Sequence, residues 1–230
     1  MMPLHSACGS GTVNRCPCYI TWHFRKRLQE RLECEMRQLE FFKNESALPD
    51  GLIYSAEFIS RDEEGELVAA ISNHQLGEVK MHGVVAKRRA MHFGKRYEYE
   101  SGRVGVAPPI AEFVFPLRER IAGFTKCSPA ELAEVLITEY PAGAGIGWHR
   151  DAPAFDFIVG ISLLSECTMK FRPWPPTKAP RPQKPVSLVL EPRSLYVLRG
   201  PVRTDWQHHI PPTKRLRYSI TFRTLRGARD

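Results

Sequence analysis

A chain of 230 residues with 43% hydrophobic content is long enough for one domain of ordinary size plus an extension, and apolar enough for a genuine core. No apolar run approaches the length of a membrane-spanning helix, and no long apolar segment follows the first charges, so neither a membrane protein nor a secreted one is expected. A formal net charge of +8 and a pI near 9.3 favour polyanionic partners, because lysine and arginine contacts to phosphate release counterions.

Six cysteines (Cys8, Cys16, Cys18, Cys34, Cys127 and Cys167) form no paired framework in the body of the chain, which suits a reducing, cytoplasmic setting. Cys8, Cys16, Cys18 and His23 could bind zinc, but their spacing is not that of a standard finger, and a tail is the simpler reading. The first twenty or so residues show no periodicity and read as a loose arm. From Arg25 to Phe42, the residues Leu28, Leu32, Met36 and Leu39 fall at helical spacing and predict an amphipathic helix. Residues 1–45 are therefore expected to be an N-terminal extension, and 46–230 the main domain, entered through a linker from Ser46 to Gly51.

Leu52 to Ile59 alternates as a strand, and Ser60 then caps a helix with early acids and with Leu67, Val68 and Ile71 on its apolar face. Within residues 76–106 the character changes. Lys80, Lys87, Arg88, Arg89, Lys95, Arg96 and Arg103 are interleaved with His82, His92, Phe93, Tyr97 and Tyr99. Basic groups of this kind hold phosphates while the rings stack on bases, although a solvated hairpin would read similarly. Pro108-Pro109 is expected to start a helix carrying Ile110, Phe113, Val114, Leu117 and Ile121. A capped turn at Ser128-Pro129 leads to a strand ending near Tyr140, and a glycine-rich turn then delivers Trp148-His149-Arg150-Asp151. Downstream lie short β-type runs at Phe155 to Leu164, Thr168 to Arg172, Val186 to Leu190, Leu195 to Leu198 and Leu216 to Thr224, with a proline-rich loop from Pro173 to Pro185. Helices upstream of many short strands predict an α+β fold with a mainly β core, a double-stranded β-helix of the jelly-roll, cupin-like kind with supporting helices.

His149 and Asp151 are two apart, so on an extended segment they leave the backbone on one face and can share a metal ion. His208, about sixty residues on, completes a two-histidine, one-carboxylate set that would hold a non-haem iron and leave positions open for chemistry. In the C-terminal run, Arg217, Ser219, Thr221 and Arg223 share a strand face opposite Tyr218, Ile220 and Phe222. Two arginines on a buried face need an anion, and a dicarboxylate beside the iron would serve. An exposed edge strand with solvated arginines is the alternative.

Taken together, His149-x-Asp151, the distant His208 and the run Arg217-Tyr-Ser-Ile-Thr-Phe-Arg223 resemble the AlkB family of iron- and 2-oxoglutarate-dependent dioxygenases, over roughly Leu52 to Leu225. The resemblance implies Fe(II) on His149, Asp151 and His208, the last preferred to His209. It implies 2-oxoglutarate held by Arg217 at its distal carboxylate and Arg223 toward the keto end and the substrate, with Tyr140 as a donor and Thr138 and Ser219 standing where relatives often have Asn. Dioxygen is the further co-substrate. By the same resemblance, residues 76–106 form a nucleotide-recognition lid, in which Tyr97 and Tyr99 stack on a flipped base and Arg88, Arg89, Lys95 and Arg96 hold phosphate. The implied reaction is oxidative dealkylation of alkylated DNA, a direct-reversal repair. The alternatives are the same chemistry on RNA, tRNA or a protein side chain, or a non-catalytic basic binding module. Pro153 stands where several relatives carry an acid facing the damaged base, which turns attention to neutral adducts. A monomer is the default expectation.

Overall fold

In chain order the strands are β1 (Leu52–Ser55), β2 (Gly77–Met81), β3 (Val84–Glu98), β4 (Arg103–Val106), β5 (Leu132–Tyr140), β6 (Ile146–His149), β7 (Phe155–Leu163), β8 (Cys167–Pro173), β9 (Val186–Leu190), β10 (Leu195–Leu198), β11 (Trp206–Ile210) and β12 (Arg217–Leu225). Two helices, α1 (Arg61–Ser72) and α2 (Phe115–Thr125), precede most of them. The computed structural model describes residues 48–81, 84–175 and 184–227, which belong to a unit beginning at Leu48. The expected arm, the helix from Arg25 to Phe42, Cys8, Cys16, Cys18, His23 and Cys34, and also His82, lie outside the described residues.

Two antiparallel sheets face each other. The larger has the order β1-β10-β7-β12-β5-β3-β2, with β4 attached to β3, and the smaller has the order β6-β11-β8-β9. The period of two along each strand gives the large sheet two different faces. Tyr218, Ile220 and Phe222 of β12 join Val135, Ile137, Val159 and Ile161, and are covered by Leu67 and Ile71 of α1 and Leu117 and Ile121 of α2. Each such fully buried aliphatic or aromatic side chain stabilises the fold by about 2 kcal/mol. On the opposite face Tyr140, Ile158, Tyr196 and Leu198 meet Met169, Phe171, Leu190 and Ile210 of the small sheet. Arg217, Ser219, Thr221 and Arg223 therefore point between the sheets, and all four are buried. This is the jelly roll expected from the strand pattern, with α1 and α2 on one side of the large sheet, while a short helix over Pro201–Thr204 adds Val202 to the core on the other.

Local signals explain most boundaries. Ser60 caps α1 by accepting from Glu63 N at 3.1 Å, and the Glu63 carboxylate accepts from Ser60 N at 2.8 Å. The second helix corrects the sequence reading. It starts at Phe115, after a 3-10 turn over Glu112–Val114, and not at Pro108-Pro109. The reason is a tertiary bond. Gly94 N donates to Pro108 O at 2.7 Å and Ala107 N to Gly94 O at 3.0 Å, so the proline segment is pinned along β3 and stays extended. Gly94 itself has φ +75, and a side chain there would collide with the Ala133 carbonyl. At this point β3 changes partner. Residues Arg89 to Gly94 pair with β5, and Lys95 to Glu98 pair with β4 to make a hairpin beyond the sheet.

Candidate metal centre

β6 is the edge strand of the small sheet and ends at His149, which pairs with His208 on β11. A register shift between this pair and Ile146–Ile210 keeps both histidines and both isoleucines on the inner face. His209 faces out, where its Nδ1 lies 2.8 Å from Ile146 O and its ring packs on Trp148 at 5.0 Å. Strand alternation thus selects His208 over His209. Asp151 corrects one detail of the sequence argument. It is not on the strand with His149 but in the loop that follows. Buried Arg203 donates to the carbonyls of Ala152 and Phe155 and fixes that loop.

One ligand atom each from His149, Asp151 and His208 lie within 4.8 Å of one another. The two imidazole rings are 4.2 Å apart, and His208 Nε2 is 3.4 Å from Asp151 Oδ2. His149 Nδ1 lies 2.8 Å from Gly147 O, which reserves Nε2 for a ligand. Burial pushes the His149 pKa down and that of His208 down to about 3, so both rings are neutral and offer lone pairs at ordinary pH. Burial alone would raise the Asp151 carboxyl, but the charges of Arg223, His208 and His149 outweigh it and hold the group below the usual carboxylate range. Two neutral nitrogens and one anionic oxygen are the donor set that suits Fe(II) with open coordination positions.

Beside this cluster Arg217 is fully buried. Its Nε donates to Ser162 Oγ at 2.9 Å, its guanidinium lies 5.2 Å from the Tyr140 ring centre, and Nη1 and Nη2 have no hydrogen-bond partner among the described residues. A buried guanidinium with two idle donors is costly unless an anion meets it. Ser219, Thr138 and Ser162 lie side by side across β12, β5 and β7 on the same face. Tyr196 covers Gly160 nearby, and burial pushes its hydroxyl up to about 12, so it remains a donor. The residues present therefore fit both a ferrous ion and a small dicarboxylate.

Arg223 differs from Arg217. Its Nη2 donates to Asp151 Oδ1 and its Nη1 to Glu134 Oε2, so it is engaged by two carboxylates. Its guanidinium also lies 5.1 Å from the Phe155 ring. The residues expected to contact a substrate divide. Tyr97 packs edge-on against Tyr99 at 5.1 Å and against Phe155 at 6.4 Å. Burial and the Asp151 carboxylate raise the Tyr99 hydroxyl, although the residue as a whole is 63% exposed. Arg88 is close enough to Tyr140 and His149 to act on both electrostatically. Lys95 and Arg96 are exposed on the hairpin. Arg89 does not join the iron side. It projects from the other face of β3 and pairs with Glu139 at 2.6 Å. The sequence reading passed over Glu134, Ser162 and Tyr196. An acid two-residue-periodic with Thr138 and Tyr140 in an otherwise apolar strand was the signal for Glu134.

The model of the 2OG-Fe(II) oxygenase superfamily matches residues 58–223. The chain belongs to that superfamily. It is 32% identical over 185 residues to the "Alkylated DNA repair protein ALKBH8 homolog" of Arabidopsis thaliana, covering 71% of this chain and 51% of that protein. It is 33% identical over 178 residues to the mouse "tRNA (carboxymethyluridine(34)-5-O)-methyltransferase ALKBH8", covering 73% and 25%. The chain thus spans about half or less of the length of these curated relatives. Its fold is like that of the solved OsALKBH1 structure, with a TM-score of 0.57 at 16% identity over 78% of this chain and 99% of that one. These findings place it in the AlkB family. The 2OG-Fe(II) oxygenases of that superfamily use Fe(II), 2-oxoglutarate and dioxygen. No helix among the described residues is long and apolar enough to cross a membrane.

Proposed function

We propose that the protein oxidises a modified base in nucleic acid, with tRNA as the favoured substrate. The observation that carries the chemistry is the pairing of a buried arginine with two idle donors, Arg217, and a neutral two-histidine, one-carboxylate cluster. The naming of the mouse relative as a tRNA uridine enzyme supports the substrate. Repair of alkylated DNA is the second reading, favoured by the name of the Arabidopsis relative.

In this reading His149, Asp151 and His208 would hold the ferrous ion, and Arg217, with Nη1 and Nη2 available, would hold a carboxylate of 2-oxoglutarate. Tyr140 donates to the same co-substrate, with Ser219 and Thr138 flanking it. Bound there, Fe(II), 2-oxoglutarate and dioxygen supply the oxidation of an unactivated C–H bond, with succinate and CO2 as the other products. The protein contributes position. Arg223 holds the Asp151 carboxylate toward the cavity, and the two sheets exclude bulk water from it. A base must leave its stack to reach so enclosed a centre, and Tyr97 and Tyr99 offer faces for it to stack on. Arg88, Lys95 and Arg96 supply charge for the phosphates.

The test is succinate release by the purified protein with Fe(II) and ascorbate, on tRNA, single-stranded RNA and single- or double-stranded DNA carrying methyl, etheno or modified-uridine bases. Stimulation by RNA above DNA is the expected result. The assignment fails if His149→Ala retains turnover. Stimulation by alkylated DNA alone would establish the second reading.

A further inference from the structure

His92 lies on β3 on the face that looks between the sheets, beside Leu136 and one step from Thr138. Its Nδ1 is 2.8 Å from Glu134 Oε1. Glu134 is fully buried, and its other oxygen accepts from Arg223, which in turn donates to Asp151. A continuous line of polar contacts therefore runs from the lid strand to a metal ligand. The carboxylate can only accept, so a neutral imidazole bound to it carries its proton on Nδ1 and leaves a lone pair on Nε2. Nε2 makes no other hydrogen bond among the described residues, and the His92 side chain is 28% exposed where Glu134 is 0%. Arg223 projects from the same face of the sheet as His92, and its guanidinium lies over Phe155, which Tyr97 also touches. A built hydrogen-bond acceptor thus faces the space where a base would stack.

Resting on the reading that a nucleobase enters this cavity, we propose that His92 is a specificity-determining residue whose Nε2 accepts a hydrogen bond from an N–H on the edge of that base, such as the imide N–H of a uracil ring, with Glu134 as the residue that positions the ring. The residue lies outside the motif that marks the family.

Two fluorescent single-stranded RNA probes test this with the metal-free 230-residue chain, by anisotropy. One carries a single 5-substituted uridine, and the other its N3-methyl counterpart, which lacks the N–H. The wild-type protein is expected to bind the first about tenfold more tightly, the equivalent of one hydrogen bond of about 1.4 kcal/mol. His92→Ala is expected to bring the ratio to about one through loss of affinity for the first probe alone, and His92→Gln, which keeps an acceptor, to restore part of it. Melting temperatures of both variants check the fold, and His92→Gln decides if His92→Ala does not fold. Equal weakening on both probes, or an unchanged ratio, overturns the proposal, as does a wild-type protein that does not distinguish them. Succinate release on nucleic acid decides the underlying reading separately, so that reading can survive the failure of this one.

Discussion

Arg223 Nη2 donates to Asp151 Oδ1 at 3.0 Å, and its Nη1 reaches Glu134 Oε2 at 3.3 Å, so a single buried guanidinium bridges a metal ligand and a second carboxylate. Its pKa is lowered by burial but raised further by Asp151 and Glu134, which keeps the charge permanent. Partners that orient a metal ligand commonly set metal affinity within a factor of ten to a hundred. Arg223→Lys keeps the charge but cannot span both carboxylates. It is expected to weaken Mn(II) binding about tenfold, as read by calorimetric titration. Unaltered affinity would mean that the loop after β6 needs no such tether.

Arg217 has the opposite economy, a full charge buried with two idle donors. Arg217→Met removes that liability, so the ligand-free protein is expected to melt no lower than the wild type. The Kd for 2-oxoglutarate is expected to rise about a hundredfold or more, as the loss of a bidentate charged pair implies. A lower melting temperature with unchanged co-substrate affinity would make Arg217 a structural residue.

Gly160 lies under the Tyr196 ring, and a Cβ at that position would fall inside the ring's van der Waals shell. Gly160→Ala is expected to destabilise the protein by about 2 kcal/mol in urea unfolding. The double variant with Tyr196→Leu is expected to recover much of that loss. Additive effects in the cycle would show that the contact is not the cause.

Glu63 caps α1 and also pairs with Arg120. The Arg120 hydrogen bond, then the Ser60 backbone, lower its pKa to about 2 from an unfolded value near 4.5. Because the folded value is depressed, the contribution is fully present above the unfolded pKa and is lost as pH falls through the folded one. Glu63→Gln is therefore expected to lower the melting temperature at pH 7, with the gap closing between about pH 4.5 and pH 2. The group is partly solvated, so its contribution is about 1 kcal/mol, well under what the shift alone implies. A gap independent of pH would assign the effect to packing.

Much of this protein was legible in one dimension. The alternation Arg217-Tyr-Ser-Ile-Thr-Phe-Arg223 determined which face of β12 builds the core and which lines the cavity, because a strand has no freedom to mix the two. The His-x-Asp spacing and the capping box at Ser60 were equally local. Tertiary structure alone decided the rest. It seated Asp151 in a loop beyond the strand, divided the arginines into one satisfied and one waiting, and turned Arg89 away to Glu139 while Glu134 reached both His92 and Arg223. Periodicity fixes the side of a strand from which a residue projects. What it meets there depends on sheet order and register, which bring residues 42 to 89 positions apart into hydrogen-bond contact and leave no trace in the spacing of either.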